Sequence, residues 1–261
     1  MISFWENLGR RIIRLQLAFG GTVAFAGRVF LRIFRRKTYS SAMRDVLVSQ
    51  IYFTAVAILP VFLLVSIIFG SLLIGITLTL LKEFGLTEFI GYVLMGLIVT
   101  ELSPLLTVFL VTLRSSSAIN TEVAVMKVNR EIKTLETFHI DVIDYLLVPR
   151  IINGIVSVVL LSSLFSIVLI ASGILFSRLI FGMNIDVYTN ILLNSTSFSD
   201  ILIAVFKCAV YGFFITLIPI RFGLQASHEL TSIPVVVSRG MVNVFAAILI
   251  IEVLSLLTKL I

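Results

Sequence analysis

Charge is what this chain has least of. Of its 261 residues only 13% are Asp, Glu, Lys or Arg, while 59% are apolar and the mean hydropathy is +1.15. A soluble domain carries about a quarter charged residues, because its surface must meet water. A water-soluble globule is therefore excluded, and lipid must replace water around most of the fold. Cysteine is nearly absent. Cys208, the single one, cannot close an internal disulfide and reads as a small buried apolar residue. The two histidines, His139 and His228, stand in separate polar stretches without Cys or carboxylate at ligand spacing, so no metal and no cofactor is expected. No G-x-x-x-x-G-K-[ST] loop is present, so ATP hydrolysis cannot reside on this chain. A nucleophile elbow is missing too, which argues against a hydrolase, and no internal repeat supports an inverted-repeat secondary transporter.

What is present is a series of long apolar runs. The first, 51–81, contains no charge. At 1.5 Å per residue it reaches roughly 46 Å, against a hydrocarbon core of about 30 Å, so it must tilt, bend or run past the membrane, with Pro60 the obvious kink. Further spans are expected at 89–113, 151–177, 201–220 and 241–260. The fold class is an all-α integral membrane protein: an N-terminal interfacial amphipathic helix, five transmembrane helices and a cytoplasmic amphipathic helix. It divides into an N-terminal basic region, 1–45, and a transmembrane domain, 46–261, with a polar cytoplasmic segment at 114–150.

Sixteen of the twenty Lys and Arg residues fall on one side of this layout; Lys82, Arg178 and Lys259 fall on the other, and Lys207 lies inside a span. That bias places the N-terminus in the cytoplasm and the C-terminus outside. Arg10, Arg11, Arg14, Arg28, Arg32, Arg35 and Arg36 share a helical sector of about 120°, opposite Ile12, Leu15, Phe19, Val23, Phe30 and Ile33. Such a stripe suits a helix lying near the membrane plane with its arginines toward anionic headgroups. A secretory signal is excluded because five more positive charges follow the 15–27 apolar run, and nothing else resembles a nucleic-acid reader, so no nucleic-acid partner is expected.

Two groups of residues stand out as candidates for chemistry. In the polar segment, apolar Val125, Val128, Ile132 and Leu135 recur at helical spacing, which predicts one amphipathic helix over 120–138 capped by Asn120. Its acids Glu122, Glu131 and Glu136, with Lys127, suit docking to a cytoplasmic motor better than resting on anionic lipid. Inside the spans stand Glu101, Lys207 and Glu252. Each is too costly to face lipid, so each must face protein or a wet cavity. Counting residues from the expected boundaries puts Lys207 and Glu252 at similar depth, which predicts an ion pair between spans four and five, with Glu101 deeper.

The stretch from Thr100 to Arg150 resembles the MlaE permeases of MCE-type ABC lipid transporters. The family pattern runs R-E-L-G-P, then G-R-x-G-S-A-x-x-A-E with a downstream M-[KR]-[VA]-[TN]-E-Q, then L-E and D-P, then P-R. Here stand Glu101-Leu102-Ser103-Pro104, Arg114, Ser116-Ser117-Ala118, Glu122, Met126-Lys127-Val128-Asn129, Leu135-Glu136, Ile140-Asp141 and Pro149-Arg150, in that order. Beyond this block Phe206-Lys207, Gly212, Gly223-Leu224, Ser238-Arg239 and Glu252 sit where similar residues sit in the family. Thr100 replaces the usual Arg, Ser103 a Gly, Arg130 a common Glu and Val142 a Pro.

The resemblance implies a permease subunit that moves phospholipid between the bacterial inner membrane and the outer envelope, maintaining outer-membrane lipid asymmetry. Its partners would be a second copy of itself, a cytoplasmic ABC ATPase dimer and a periplasmic MCE-domain protein. Lipid would occupy a cavity at the dimer interface lined by Leu73, Leu80, Phe84 and Glu101. The alternative from another class is an autonomous ion-coupled transporter or channel using Glu101, Lys207 and Glu252. A purely structural membrane anchor is a third reading, and it leaves the intramembrane charges without a purpose.

Overall fold

A computed structural model describes residues 25–33 and 47–260. These residues form helices, with no strand among them. In chain order they are α1 (25–33), α2 (Leu47–Glu83), α3 (Thr87–Val128), α4 (Glu131–Thr137), α5 (Ile143–Phe181), α6 (Ile185–Asn194), α7 (Phe198–Gly223) and α8 (Ser232–Leu260). Five of them, α2, α3, α5, α7 and α8, are long and apolar enough to cross a membrane. Of the expected basic stripe from Arg10 to Arg36 only 25–33 falls among the described residues, and it is helical.

Every span is longer than its apolar run predicts. Chain polarity marks where lipid ends, but helices continue past that level because their backbone hydrogen bonds do not depend on lipid. The largest difference is in the polar segment. The single helix predicted for 120–138 is two pieces: α3 runs on from the second span to Val128, Arg130 adopts a left-handed backbone with φ 61°, and α4 starts at Glu131. Asn120 is therefore no cap. It lies fully buried within α3, its Nδ2 donating to the carbonyls of Val236 and Val237 at 3.4 and 3.5 Å. A helix anchored sideways at that depth cannot begin there.

Packing follows ridges of every fourth residue. On α2 the buried positions include Phe62, Ser66, Gly70, Ile74 and Leu78; on α8 they include Val236, Gly240, Val244, Ile248 and Glu252. A four-residue repeat is one of the two natural ridges of an α-helix. Helix α5 sits at the centre against α2, α3 and α7, and α8 closes the bundle on α7 and α3. Without a hydrophobic drive between helices, close approach needs small residues. At the α5–α7 crossing, a Cβ added to Gly212 would lie 2.5 Å from the Ile155 Cα, and one on Gly154 would strike Thr216.

Four turns are widened to π-helix: Tyr52–Val56, Leu94–Leu102, Thr112–Ser116 and Ile143–Leu147. Three precede a proline within the same helix, Pro60, Pro104 and Pro149. Proline lacks an N–H, and its ring clashes with the carbonyl four residues back, here Val56, Thr100 or Tyr145. Each of those carbonyls lies inside the widened turn, where hydrogen bonds span five residues, as from the Ser103 amide to the Ile98 carbonyl. Pro219 in α7 is handled differently. The carbonyl it frees, that of Ile215, accepts a 2.7 Å hydrogen bond from the Ser116 hydroxyl of α3.

That pairing is testable. Ser116→Ala should cost about 1 kcal/mol in unfolding of the detergent-solubilised chain, a typical value for an intramembrane hydrogen bond. In a Pro219→Ala background the new amide satisfies Ile215 within the helix, so the same substitution should cost almost nothing. Equal costs in both backgrounds would reject the account.

Candidate functional site

The three ionisable residues inside the spans converge on one point. Glu101 comes from the widened turn of α3, Lys207 from α7 and Glu252 from the end of the α8 ridge, and they are 3%, 5% and 8% exposed. The Lys207 ammonium contacts Glu252 Oε2 at 2.7 Å and is also paired with Glu101 Oε2. The Tyr211 hydroxyl donates to Glu252, and the Ser255 hydroxyl lies 3.5 Å from Glu101 Oε2. The ammonium also sits 5.8 Å from the centre of the Tyr211 ring, within cation–π range.

Two carboxylates thus share one cation, with hydroxyls spreading the remaining negative charge. Glu101 joins the pair although the residue count set it deeper than Lys207. Tyr211 and Ser255 were missed by sequence reading, although each lies close to a charge in helical spacing: Tyr211 four residues after Lys207, Ser255 three after Glu252.

The residues expected to line a lipid cavity are not gathered in one place. Leu80 is 45% exposed on the outward face of α2 with Leu73 half-buried on the same helix, and Phe84, just past the end of α2, is 73% exposed. Glu101 is in the interior, facing α7 and α8.

At the basic end, Glu122 is exposed but engaged: its carboxylate takes a 2.5 Å hydrogen bond from Arg150 Nη2, whose residue is 4% exposed. Lys127 is half-buried on the same helix, whereas Glu131 and Glu136 lie exposed on α4. Arg32 of α1 is paired with Asp141 and, at 3.2 Å, with Asp144. Those hydrogen bonds, to Asp141 first, push the guanidinium above its ordinary value. For Asp141 partial burial acts upward, but the bond from Arg32 and that from the Ile143 amide outweigh it and hold the carboxyl below the usual range. A depressed carboxylate lends stability above its unfolded pKa and loses it as pH falls through the folded one, so this tie of α1 to the loop before α5 weakens in acid.

Compared with known proteins, residues 47–258 match the family described as Permease MlaE. This chain belongs to the MlaE permease family. A probable ABC transporter permease protein of Synechocystis is 32% identical over 58% of the chain and 59% of its own length. The Arabidopsis chloroplast protein TRIGALACTOSYLDIACYLGLYCEROL 1 is 32% identical over 77% of the chain, which spans 57% of that relative. The intermembrane phospholipid transport system permease protein MlaE of Haemophilus influenzae is 25% identical over 95% of the chain and 94% of its own length. The chain is a multi-pass membrane protein in which the charged cluster ties three spans together.

The cluster alters what substitution should do. Lys207→Met strands two buried carboxylates and should cost about 3–5 kcal/mol in unfolding in detergent. Removing Lys207 and Glu252 together leaves Glu101 stranded, so that double variant should stay unstable. Only the triple variant with Glu101→Gln should recover most of the loss. Recovery in the double variant would show that Glu101 is not part of the cluster.

Proposed function

We propose that this chain is the membrane subunit of an ATP-driven phospholipid transporter, acting as a pair of identical chains on separate ATPase subunits. It would exchange phospholipid between a bacterial inner membrane and the outer envelope and so maintain outer-membrane lipid asymmetry. What carries the reading is the family match across all five spans, joined to the phospholipid-transport role for which the Haemophilus relative is named. The charge bias supports an orientation with the basic end and N-terminus in the cytoplasm and the C-terminus in the periplasm, toward an MCE-domain partner.

Helix α4 suits docking to the ATPase. It is short, it follows the left-handed Arg130, and it presents Glu131 and Glu136 to solvent beyond the last residue of α3, with Lys127 and the Arg150-bound Glu122 behind it. The outward face of α2, with Val61, Leu64, Ile68, Leu72, Ile76 and Leu80 all 45–64% exposed, suits a second copy and the lipid between the copies. Leu73, Leu80 and Phe84 would meet acyl chains there, each buried CH₂ adding about 0.8 kcal/mol. Glu101 would act through position, by holding α3 to α7 and α8. An ion-coupled carrier using Glu101, Lys207 and Glu252 is disfavoured because these groups are mutually paired and line neither the cavity beside Arg114 and Arg150 nor the one beside Ser162 and Cys208.

In proteoliposomes containing the chain and its cognate ATPase, transfer of a fluorescent phospholipid should require ATP. Charge reversal at both Glu131 and Glu136 should lower ATP-coupled transfer at least tenfold while the melting temperature stays unchanged. Transfer driven by an ion gradient, by the chain alone, would overturn the proposal in favour of the carrier.

A further inference from the structure

The basic end holds a polar cavity of about 390 Å³ between α2, α3 and α5, within the range of ligand pockets, about 300–1,000 Å³. Two of the four widened turns supply its wall, and a third lies next to it in the chain. Tyr52–Val56 supplies Thr54, Thr112–Ser116 supplies Arg114, and Arg150 follows directly on Ile143–Leu147 and Pro149. Two of these turns are explained by prolines; Thr112–Ser116 is followed by none in its own helix, and it is the turn that carries Arg114 and Ser115 to the cavity wall. Widened turns of this kind recur at functional sites.

Polar atoms just behind the wall are incompletely used. Arg150 Nη2 is taken by Glu122, but Nη1 is buried with no hydrogen-bond partner, and so is Oε1 of Gln50. An unsatisfied buried guanidinium N–H is costly, and native proteins rarely leave one without a purpose. The charged groups on the wall are Arg114, Arg150 and Glu122, two cations and one anion, so one positive charge is in excess. Asn153 donates to Thr54 Oγ1 at 2.8 Å and fixes the wall between α2 and α5.

We propose that this cavity binds a phosphate-bearing anion, with Arg114 donating to its oxygens and the enclosed Arg150 guanidinium adding positive charge behind the wall. Guanidinium groups match the geometry of phosphate oxygens, and a site at the end of the spans lies at headgroup level. Lipid headgroup and free phosphate share this chemistry.

The test uses the full chain, delipidated in detergent, and the binding of a fluorescent short-chain phosphatidic acid, with diacylglycerol as the phosphate-free control and inorganic phosphate as competitor. One lipid should bind per chain and diacylglycerol should not. Arg114→Gln, at an exposed position, should weaken binding at least tenfold. Gln50→Glu, which adds a negative charge to the wall, should do the same if Arg114→Gln folds poorly. Arg239→Gln, an exposed basic-end control, should stay within twofold. Competition by millimolar phosphate identifies a site open to free anion; binding without competition identifies the lipid headgroup as the source, and both support the site. Wild-type affinity in Arg114→Gln and Gln50→Glu, equal loss in Arg239→Gln, or equal binding of diacylglycerol overturns it. No ATPase is present, so failure here leaves the transport proposal standing.

Discussion

An ammonium group inside a membrane must find anions or be expelled, and Lys207 finds two, on two different helices. That requirement holds α3, α7 and α8 at one depth and one rotation, because a slip of one residue along any of them would carry a carboxylate out of reach. Neighbouring features take their places from it. The α8 ridge ends on Glu252, so Gly240, three turns earlier, falls against Asn120 of α3, and Asn120 in turn reaches the backbone of α8. The central helix α5 carries no charge at that depth. It is held by shape and small polar groups: Gly154 against Gly212, Ser103 to Ser166 at 2.9 Å and Asn153 to Thr54.

The prolines work with the same economy. In lipid no backbone carbonyl can be left to water, so each proline beyond the first turn of its helix forces a local solution. Three solutions are wider turns, and the fourth is a hydroxyl borrowed from another helix. Three of the widened turns lie toward the basic end, and there the backbone also receives side chains from neighbours: Arg114 donates to the Ala57 carbonyl at 3.1 Å, close to Pro60. The bundle is therefore least regular where polar groups are densest. The site proposed at that end depends on such irregularity, since a regular helix offers no spare acceptors and no cavity.

The outermost spans are a different case. Helices α2 and α8 each bury one stripe and leave the remaining surface apolar, which lipid and a second chain can cover equally well. Assembly in a membrane is then decided by shape and by the few polar groups at the contact rather than by removal of apolar surface from water.

Much was legible in the sequence for a simple reason: lipid imposes composition. Span number, helical class, the placement of charges and the need for Glu101, Lys207 and Glu252 to avoid lipid all follow from transfer energies that act residue by residue. The family pattern from Glu101 to Arg150 was legible as well, because it is a local string. What the sequence could not show is which stripe of an all-apolar helix is buried. On α8 Val244 and Ile248 are enclosed while Leu249, Ile250, Val253 and Leu254 are 56–58% exposed, with no change in residue type to mark the difference. Nor could it show that Glu101 completes the Lys207 pair, that α3 continues to Val128, or that Arg150 is enclosed with one N–H unspent. Composition tells a residue whether to avoid lipid; only helices packed at fixed depth and rotation decide which partner it meets, because those contacts join residues about 30 to 150 positions apart.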